Sequence, residues 1–337
     1  MNEKIDIVIP WVDGSDEEWL KEKIHWYQKL NPDSGSNSNN RFQDWDNLKY
    51  LFRAIEQYMP WVNNVFFITW GHLPGFLNAE CPKLRIVNHK DYIPGEYLPT
   101  FNANTIELNL CRIEELSERF IYFNDDMFPL MPIDREYYFR DGIPCDEAVE
   151  TPIIPIMLGE ISKFTWNMRA LDISVINRNF NKREVQKKFR DKWFSESYGE
   201  LLERNESLNY WDNFVGFRDP HVPSAFLKSS FTKVWEAEKE TLNRACMTKF
   251  RDFSCVNQWL IRYWQLCEGN FVPRRTLGKS FTVTIDNCKD VADIIRNRGQ
   301  QMICLNEDCT PEEFEAIKKE INAAFEFLLP DKCSFEK

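Results

Sequence analysis

Histidine is scarce in this chain of 337 residues, at four, and no pair of its ten cysteines takes the Cys-x-x-Cys spacing. A structural zinc site, which gathers four thiolate or imidazole ligands at short spacings, is therefore not indicated. The cysteines stand scattered at 81, 111, 145, 246, 255, 267, 288, 304, 309 and 333, the pattern of reduced thiols in a cytoplasmic protein. No apolar run approaches the roughly 18–20 residues of a membrane-spanning helix. Met1-Asn2-Glu3-Lys4 leads straight into Ile5–Ile9, without the basic-then-apolar order of a signal peptide. GxGxxG and Walker sequences are both missing, so neither a dinucleotide fold nor a P-loop is supported. Cations are in deficit as well: 42 Lys+Arg against 53 Asp+Glu leave a net charge of −11. That balance argues against binding nucleic acid through a broad basic surface. Phosphorylated substrates stay open, because a metal ion inverts the sign of an acidic pocket.

What is abundant is apolar and aromatic: 43% and 15% of residues, with 12 Trp and 26 Phe, a composition that packs a core rather than staying disordered. Up to about residue 130, strand and helix signals alternate. Ile5–Ile9, Val65–Thr69, Leu84–Val87 and Phe120–Phe123 are short β-type runs. Ser15-Asp16-Glu17-Glu18 has capping-box spacing for a helix start. Leu48, Leu51, Phe52, Ile55 and Met59 recur at helical spacing up to Pro60, and a helix over roughly Thr105–Leu116 precedes the last strand. Such alternation predicts a mostly parallel sheet with helices on both faces. Asn31–Asn40, rich in Asn, Ser and Gly, reads as a mobile loop. The stretch Lys182–Lys192 sets six cations against two anions; it is either a solvated helix face or a docking surface for an anionic acceptor or membrane headgroups. The last third reads as helical, with one stripe over Val256–Cys267 and another from Phe314 to Leu328 opened by Thr310-Pro311-Glu312-Glu313.

Chemistry-bearing residues cluster where strands end. Phe120–Phe123 runs into Asn124-Asp125-Asp126, and ligands of α/β sheets lie beyond strand carboxyl ends. Adjacent carboxylates there repel unless they share a cation, and Mg²⁺ or Mn²⁺ prefers such oxygens; the plainer reading is a turn capped by Asp125 or Asp126. Trp11-Val12-Asp13-Gly14 follows the first strand in the same way, Gly14 allowing a tight turn and Asp13 able to meet a ribose hydroxyl or the metal. Glu107, in Asn104-Thr105-Ile106-Glu107, has the spacing of a capping residue and would also lie near the acidic strand end. His221 stands between Pro220 and Pro223's neighbour Val222 in Asp219-Pro220-His221-Val222-Pro223, a rigid loop that suits either a general base or a structural histidine. Arg251 precedes the Val256–Cys267 helix and would meet phosphate or pair with Asp252.

Taken in order, four blocks resemble the Stealth family of sugar-phosphate transferases, whose members include bacterial capsular polysaccharide phosphotransferases. They are Ile5–Gly14; Arg41-Phe42-Gln43-Asp44 through Leu98–Asn102, Thr105-Ile106-Glu107 and Phe123-Asn124-Asp125-Asp126; Pro220-His221-Val222-Pro223 to Phe250-Arg251; and Ile303–Glu307 with Ser334-Phe335-Glu336. Residues of about 130–215 lie outside them, and Asn306-Glu307 departs from the family's usual Asn-Asp. The resemblance implies a GT-A-like α/β fold with a helical insertion and a helical C-terminal part. Its expected division is 1–150 as nucleotide-sugar core, 151–215 as acceptor-side insertion and 216–337 completing the core. It further implies Asp126, Glu107, His221 and Arg251 as the catalytic set, Asp125, Asp126 and Glu107 on Mg²⁺ or Mn²⁺, and Trp11, Val12, Asp13 and Gly14 at the nucleotide. The implied reaction passes hexose 1-phosphate from a UDP-sugar to a glycan hydroxyl and releases UMP, in capsular polysaccharide synthesis, with peripheral membrane association open. An ordinary glycosyltransferase releasing UDP and a non-catalytic glycan- or nucleotide-binding module are the alternatives.

Overall fold

The computed structural model describes residues 3–32, 44–154 and 160–337, residues 160–163 by backbone alone. The loop expected over Asn31–Asn40, and Arg41-Phe42-Gln43 of the second block, fall outside these residues apart from Asn31 and Pro32. Strand β1 (Ile5–Pro10) is flanked by β2 (Val65–Thr69) and β4 (Arg119–Tyr122), with β3 (Leu84–Asn88) beyond β2 and β8 (Ser224–Leu227) beyond β4. All of these pairings are parallel except β4–β8. The expected parallel-rich sheet flanked by helices is therefore present.

Strand periodicity sorts its side chains. Ile5, Ile7 and Ile9 enter one core with Leu51, Phe52 and Phe67, while Val8 enters the other with Phe66, Phe120 and Tyr122. Burial on both faces is why these strands read as nearly continuous apolar runs. Asp6 interrupts the run and is fully buried, but its carboxylate accepts from Asn63 Nδ2 at 2.7 Å, Asn64 N at 3.1 Å and Ser117 N at 2.9 Å. A buried charge with its acceptor sites filled is tolerated.

Two smaller sheets complete the frame. Strand β5 (Met127–Pro129) follows the Asp125-Asp126 turn and pairs antiparallel with β11 (Met302–Glu307), which pairs parallel with β10 (Lys279–Val283). Strands β6 (Phe139–Arg140), β7 (Ile143–Asp146) and β9 (Val272–Pro273) form the other. The helices Cys288–Arg296 and Pro311–Leu328 pack together over β10–β11–β5, and the capping box read at Thr310 and Glu313 is formed. The C-terminal third is thus helical with β10 and β11 set between its helices. Met302–Leu305 is too short an apolar run to announce a strand, because four such residues read equally as buried helix.

Two helix starts differ from the sequence reading. The Glu17–Leu30 helix is capped by Asp16, whose carboxylate accepts from Trp19 N at 2.9 Å, rather than by Ser15. The helix before β4 runs only from Ala103 to Leu108, and its cap is Asn102. Glu107 therefore sits past the first turn, too far along to close a capping box.

Candidate active site

Three segments distant in sequence meet through aromatic packing. Phe101 stacks on Phe250 at 5.2 Å and meets Trp19 edge-on at 5.8 Å. Phe101 N donates to Lys249 O at 2.8 Å, and Lys249 Nζ returns to Leu98 O at 2.7 Å. The cap residue Asn102, itself fully buried, donates to Thr248 Oγ1 at 3.0 Å. These contacts lay the Ala103–Leu108 helix against the Lys249–Arg251 turn, so that Arg251 reaches the field of Glu107.

Glu107 is buried and its Oε1 accepts from Tyr122 Oη at 3.0 Å, while Oε2 has no hydrogen-bond partner. Burial pushes its carboxyl up to about 7, against the pull of Arg251 and Tyr122. At neutral pH it is therefore poised to hold or release a proton.

Asp126 lies one turn beyond β4. A ligand atom from each of Asp126, His221 and Cys304 falls within 4.8 Å of the other two. His221 sits with Nε2 3.4 Å from Asn124 Nδ2 and Nδ1 3.7 Å from Cys304 Sγ. Leu305 N donates to Asp126 O at 3.0 Å, which locks the acidic turn to β11. Burial, then the Asp125 charge, pushes Asp126 up to about 8, and Glu307 adds to the repulsion. Asp125 is exposed and keeps more water; desolvation by the surrounding turn, then Asp44 and Glu307, moves it upward less. Asp13 in turn crowds Asp44. Carboxylates from the ends of β1, β4 and β11 thus share one rim, together with Asp44.

Such a rim fits a divalent cation. Asp126 Oδ1 is buried without a hydrogen-bond partner, and neighbouring like charges leave a counter-charge wanting. Burial and the Asp126 charge hold the Cys304 thiol well above the ordinary range, and it acts as a hydrogen-bond donor to Asp126. Glu107, expected beside the metal, is not part of the group that Asp126 forms with His221 and Cys304; it accepts from Tyr122 and lies in the field of Arg251.

His221 is held from behind. Its φ is 51°, left-handed for a residue followed by Val222-Pro223, a conformation that surrounding structure must impose. Asp219, two residues earlier, accepts from Arg262 Nη1 at 2.9 Å and from the Tyr263 hydroxyl, and pairs with Arg169 at 3.0 Å. Arg262 is itself clamped bidentate to Asp146 at 2.7 and 2.9 Å. A narrow crevice runs in front of the imidazole, walled by Tyr122, Met127, Gln258 and Trp259.

The loop after β1 adjoins the acidic rim through Asp13. Trp11 is buried, stacked on Phe67 at 5.6 Å and edge-on to His72 at 5.3 Å, which leaves little of its face to a nucleotide. Asp13 N donates to His72 Nε2 at 2.7 Å, and Asp13 Oδ1 accepts from Ser15 N at 2.8 Å and Ser15 Oγ at 2.6 Å. Val12, Asp13 and Gly14 stay half-exposed at its crest. Burial holds the His72 imidazole below its ordinary range, consistent with Nε2 as an acceptor. His72, Cys304, Tyr122 and Arg262 were not singled out from sequence, since no motif spacing marks them.

Residues 3–25 match the description Stealth protein CR1, conserved region 1, and residues 41–145 match Stealth protein CR2, conserved region 2. The capsular polysaccharide phosphotransferase WcwK of Streptococcus pneumoniae is 37% identical over 336 residues, covering 99% of this chain and 98% of its own. The chain belongs to the Stealth family. The exopolysaccharide phosphotransferase cps2G of Lactiplantibacillus plantarum is likewise 37% identical, over 99% of this chain and 96% of that one. The receptor polysaccharide phosphotransferase WefC of Streptococcus oralis is 34% identical over 99% of each. Membership places this Stealth chain among transferase enzymes. Among solved structures, the apo WbbM bifunctional glycosyltransferase aligns with a TM-score of 0.40 and 10% identity, covering 97% of this chain and 52% of that one.

Proposed function

We propose that this Stealth protein transfers a hexose 1-phosphate from a UDP-sugar to a glycan hydroxyl, in the assembly of a capsular or related surface polysaccharide. The observation that supports the reading is that Asp126 and His221 come within ligand reach of each other, while Tyr122, in the wall of the His221 crevice, donates to Glu107, which lies in the field of Arg251. In this scheme His221 takes the proton of the acceptor hydroxyl as its oxygen attacks the phosphorus nearest the sugar. The P–O bond to the nucleoside phosphate breaks, UMP departs with the electron pair, and a sugar phosphodiester remains. Arg251 would meet the phosphoryl oxygens through its planar donor fork. Glu107, held in both protonation states near neutral pH, would supply or accept a proton beside it. Asp125 and Asp126 would hold Mg²⁺ or Mn²⁺, with Glu307 adding charge; when bound, such an ion supplies charge neutralisation for a diphosphate. The half-exposed crest Val12-Asp13-Gly14 would border the nucleoside, and residues 151–215 would give the acceptor side.

The test incubates the purified protein with a panel of UDP-sugars, a divalent cation and a glycan acceptor, and identifies the nucleotide by chromatography. UMP together with a phosphodiester product is the expected outcome. UDP would instead mark cleavage of the sugar C1–O bond by an ordinary glycosyltransferase. Donor binding with no nucleotide released under any metal would mark a binding module.

A further inference from the structure

The basic stretch that opens at Lys182 has two fates in the fold. Lys182 is fully buried and pairs with Glu150 at 2.8 Å, so it adds nothing to the surface. Arg183 folds back on the following turn, donating to Tyr210 O at 3.0 Å and Asn209 Oδ1 at 3.0 Å and pairing with Asp212 at 3.1 Å. Lys187 and Arg190 are exposed, and no carboxylate of the described residues lies within ion-pair distance of either. Together with Arg183, Gln186, Phe194 and Asn209 they line a pocket of about 220 Å³ that shares no residue with the crevice at His221. No acid among the described residues lines it, although the chain as a whole carries −11.

Beside this pocket the turn fixed by Arg183 displays Tyr210 and Trp211, 84% and 56% exposed, with ring centroids 6.1 Å apart. Two large aromatics standing in water at a site the fold holds rigidly are costly to solubility unless something covers them. Tyr and Trp are the side chains that settle at a bilayer interface, with an apolar body and a polar tip. Lysine and arginine beside them are drawn to anionic headgroups. Among the described residues no helix is long and apolar enough to cross a membrane, so a contact of this kind would lie on the surface of a bilayer.

We propose that this face docks the protein on a bilayer containing anionic phospholipid, with headgroup phosphate seated at Lys187 and Arg190 and the Tyr210–Trp211 pair lying in the interface. The proposal is independent of the chemistry at His221. Arg183 stays the brace of the turn, and Lys187 and Arg190 make the contact.

Sedimentation of the full chain with phosphatidylcholine vesicles, with and without phosphatidylglycerol, tests it. The wild-type chain is expected to pellet only with the anionic vesicles and to be released by salt. The pair Lys187→Glu and Arg190→Glu is expected to weaken binding at least about tenfold, the scale for losing two cations at such a surface. Trp211→Ser with Tyr210→Ser is expected to weaken it with the charges intact. Circular dichroism establishes that each variant is folded, and Lys187→Gln with Arg190→Gln replaces the charge reversal if that one is not. A wild-type chain that stays in the supernatant, or folded variants that pellet as it does, overturns the proposal. So does calorimetric binding of inorganic phosphate without binding to vesicles, which would make the pocket a site for a free anion.

Discussion

His221 stands at φ 51° between Pro220 and Val222-Pro223, so its imidazole faces the Asp126 turn at a conformational cost of order 1–3 kcal/mol. Strain of that size persists only where the surroundings over-determine it, here through Asp219 and its three partners. His221→Ala and Asp126→Asn are each expected to lower turnover by about a hundredfold to ten-thousandfold with an unchanged circular dichroism spectrum, read as nucleotide released. Near-normal release in either variant would remove that residue from the scheme. A second histidine is set chiefly by burial. His89 is buried with neither ring nitrogen hydrogen-bonded, and desolvation, with the His72 charge behind it, brings it down to about 4. The unfolded chain takes up this proton near pH 6.5 and the native state only near 4, so stability is full above about 6.5 and drains as pH falls toward 4. Thermal midpoints measured from pH 7 to 4.5 should fall less steeply in His89→Leu than in the wild-type chain.

Elements meet through a few polar staples whose partners lie far apart in sequence. The terminal residues Ser334-Phe335-Glu336 close on the Leu48–Tyr58 helix, where Arg53 Nε and Nη2 donate to both oxygens of Glu336 at 2.7 and 2.9 Å. Although burial opposes its charge, Glu336 is held below the ordinary carboxyl range by these bonds. Glu336→Gln leaves Arg53 buried with half its counter-charge removed, and a loss of about 2–4 kcal/mol in denaturant unfolding is expected; an unchanged midpoint would make the pair incidental. The stay behind His221 is more graded. Tyr263→Phe removes one hydroxyl donor from Asp219 and is expected to cost about 1 kcal/mol of stability. If it positions the imidazole, kcat should drop several-fold with KM unchanged, whereas a purely structural bond would lower the thermal midpoint and leave both constants alone.

At the scale of the whole molecule, an acidic protein gathers carboxylates from Asp13, Asp44, Asp125, Asp126 and Glu307 at one rim. Mutual repulsion there is relieved by a cation, so chelation by EDTA is expected to stop turnover and Mn²⁺ or Mg²⁺ to restore it. Independently of activity, Mn²⁺ at pH 8 should raise the thermal midpoint of the wild-type chain and leave that of Asp126→Asn nearly unmoved. A shift of equal size in both would place the ion elsewhere.

Local pattern suffices for the parallel-rich frame. Runs such as Ile5–Ile9 and Val65–Thr69 must be covered on both faces, and the stripe from Phe314 to Leu328 has one side to bury, so local pattern and burial agree. It also brought forward Asp126 and His221, because a strand end and a proline-bounded loop are visible locally. Their partners arrive only through packing. Cys304 hides in an apolar strand, Arg262 in a helix, and Glu107 trades a capping place for a buried one beside Tyr122 and Arg251 once Asn102 begins the helix. A side chain's charge state depends on which distant groups exclude water from it, and that is set by how the chain packs rather than by the residues next to it.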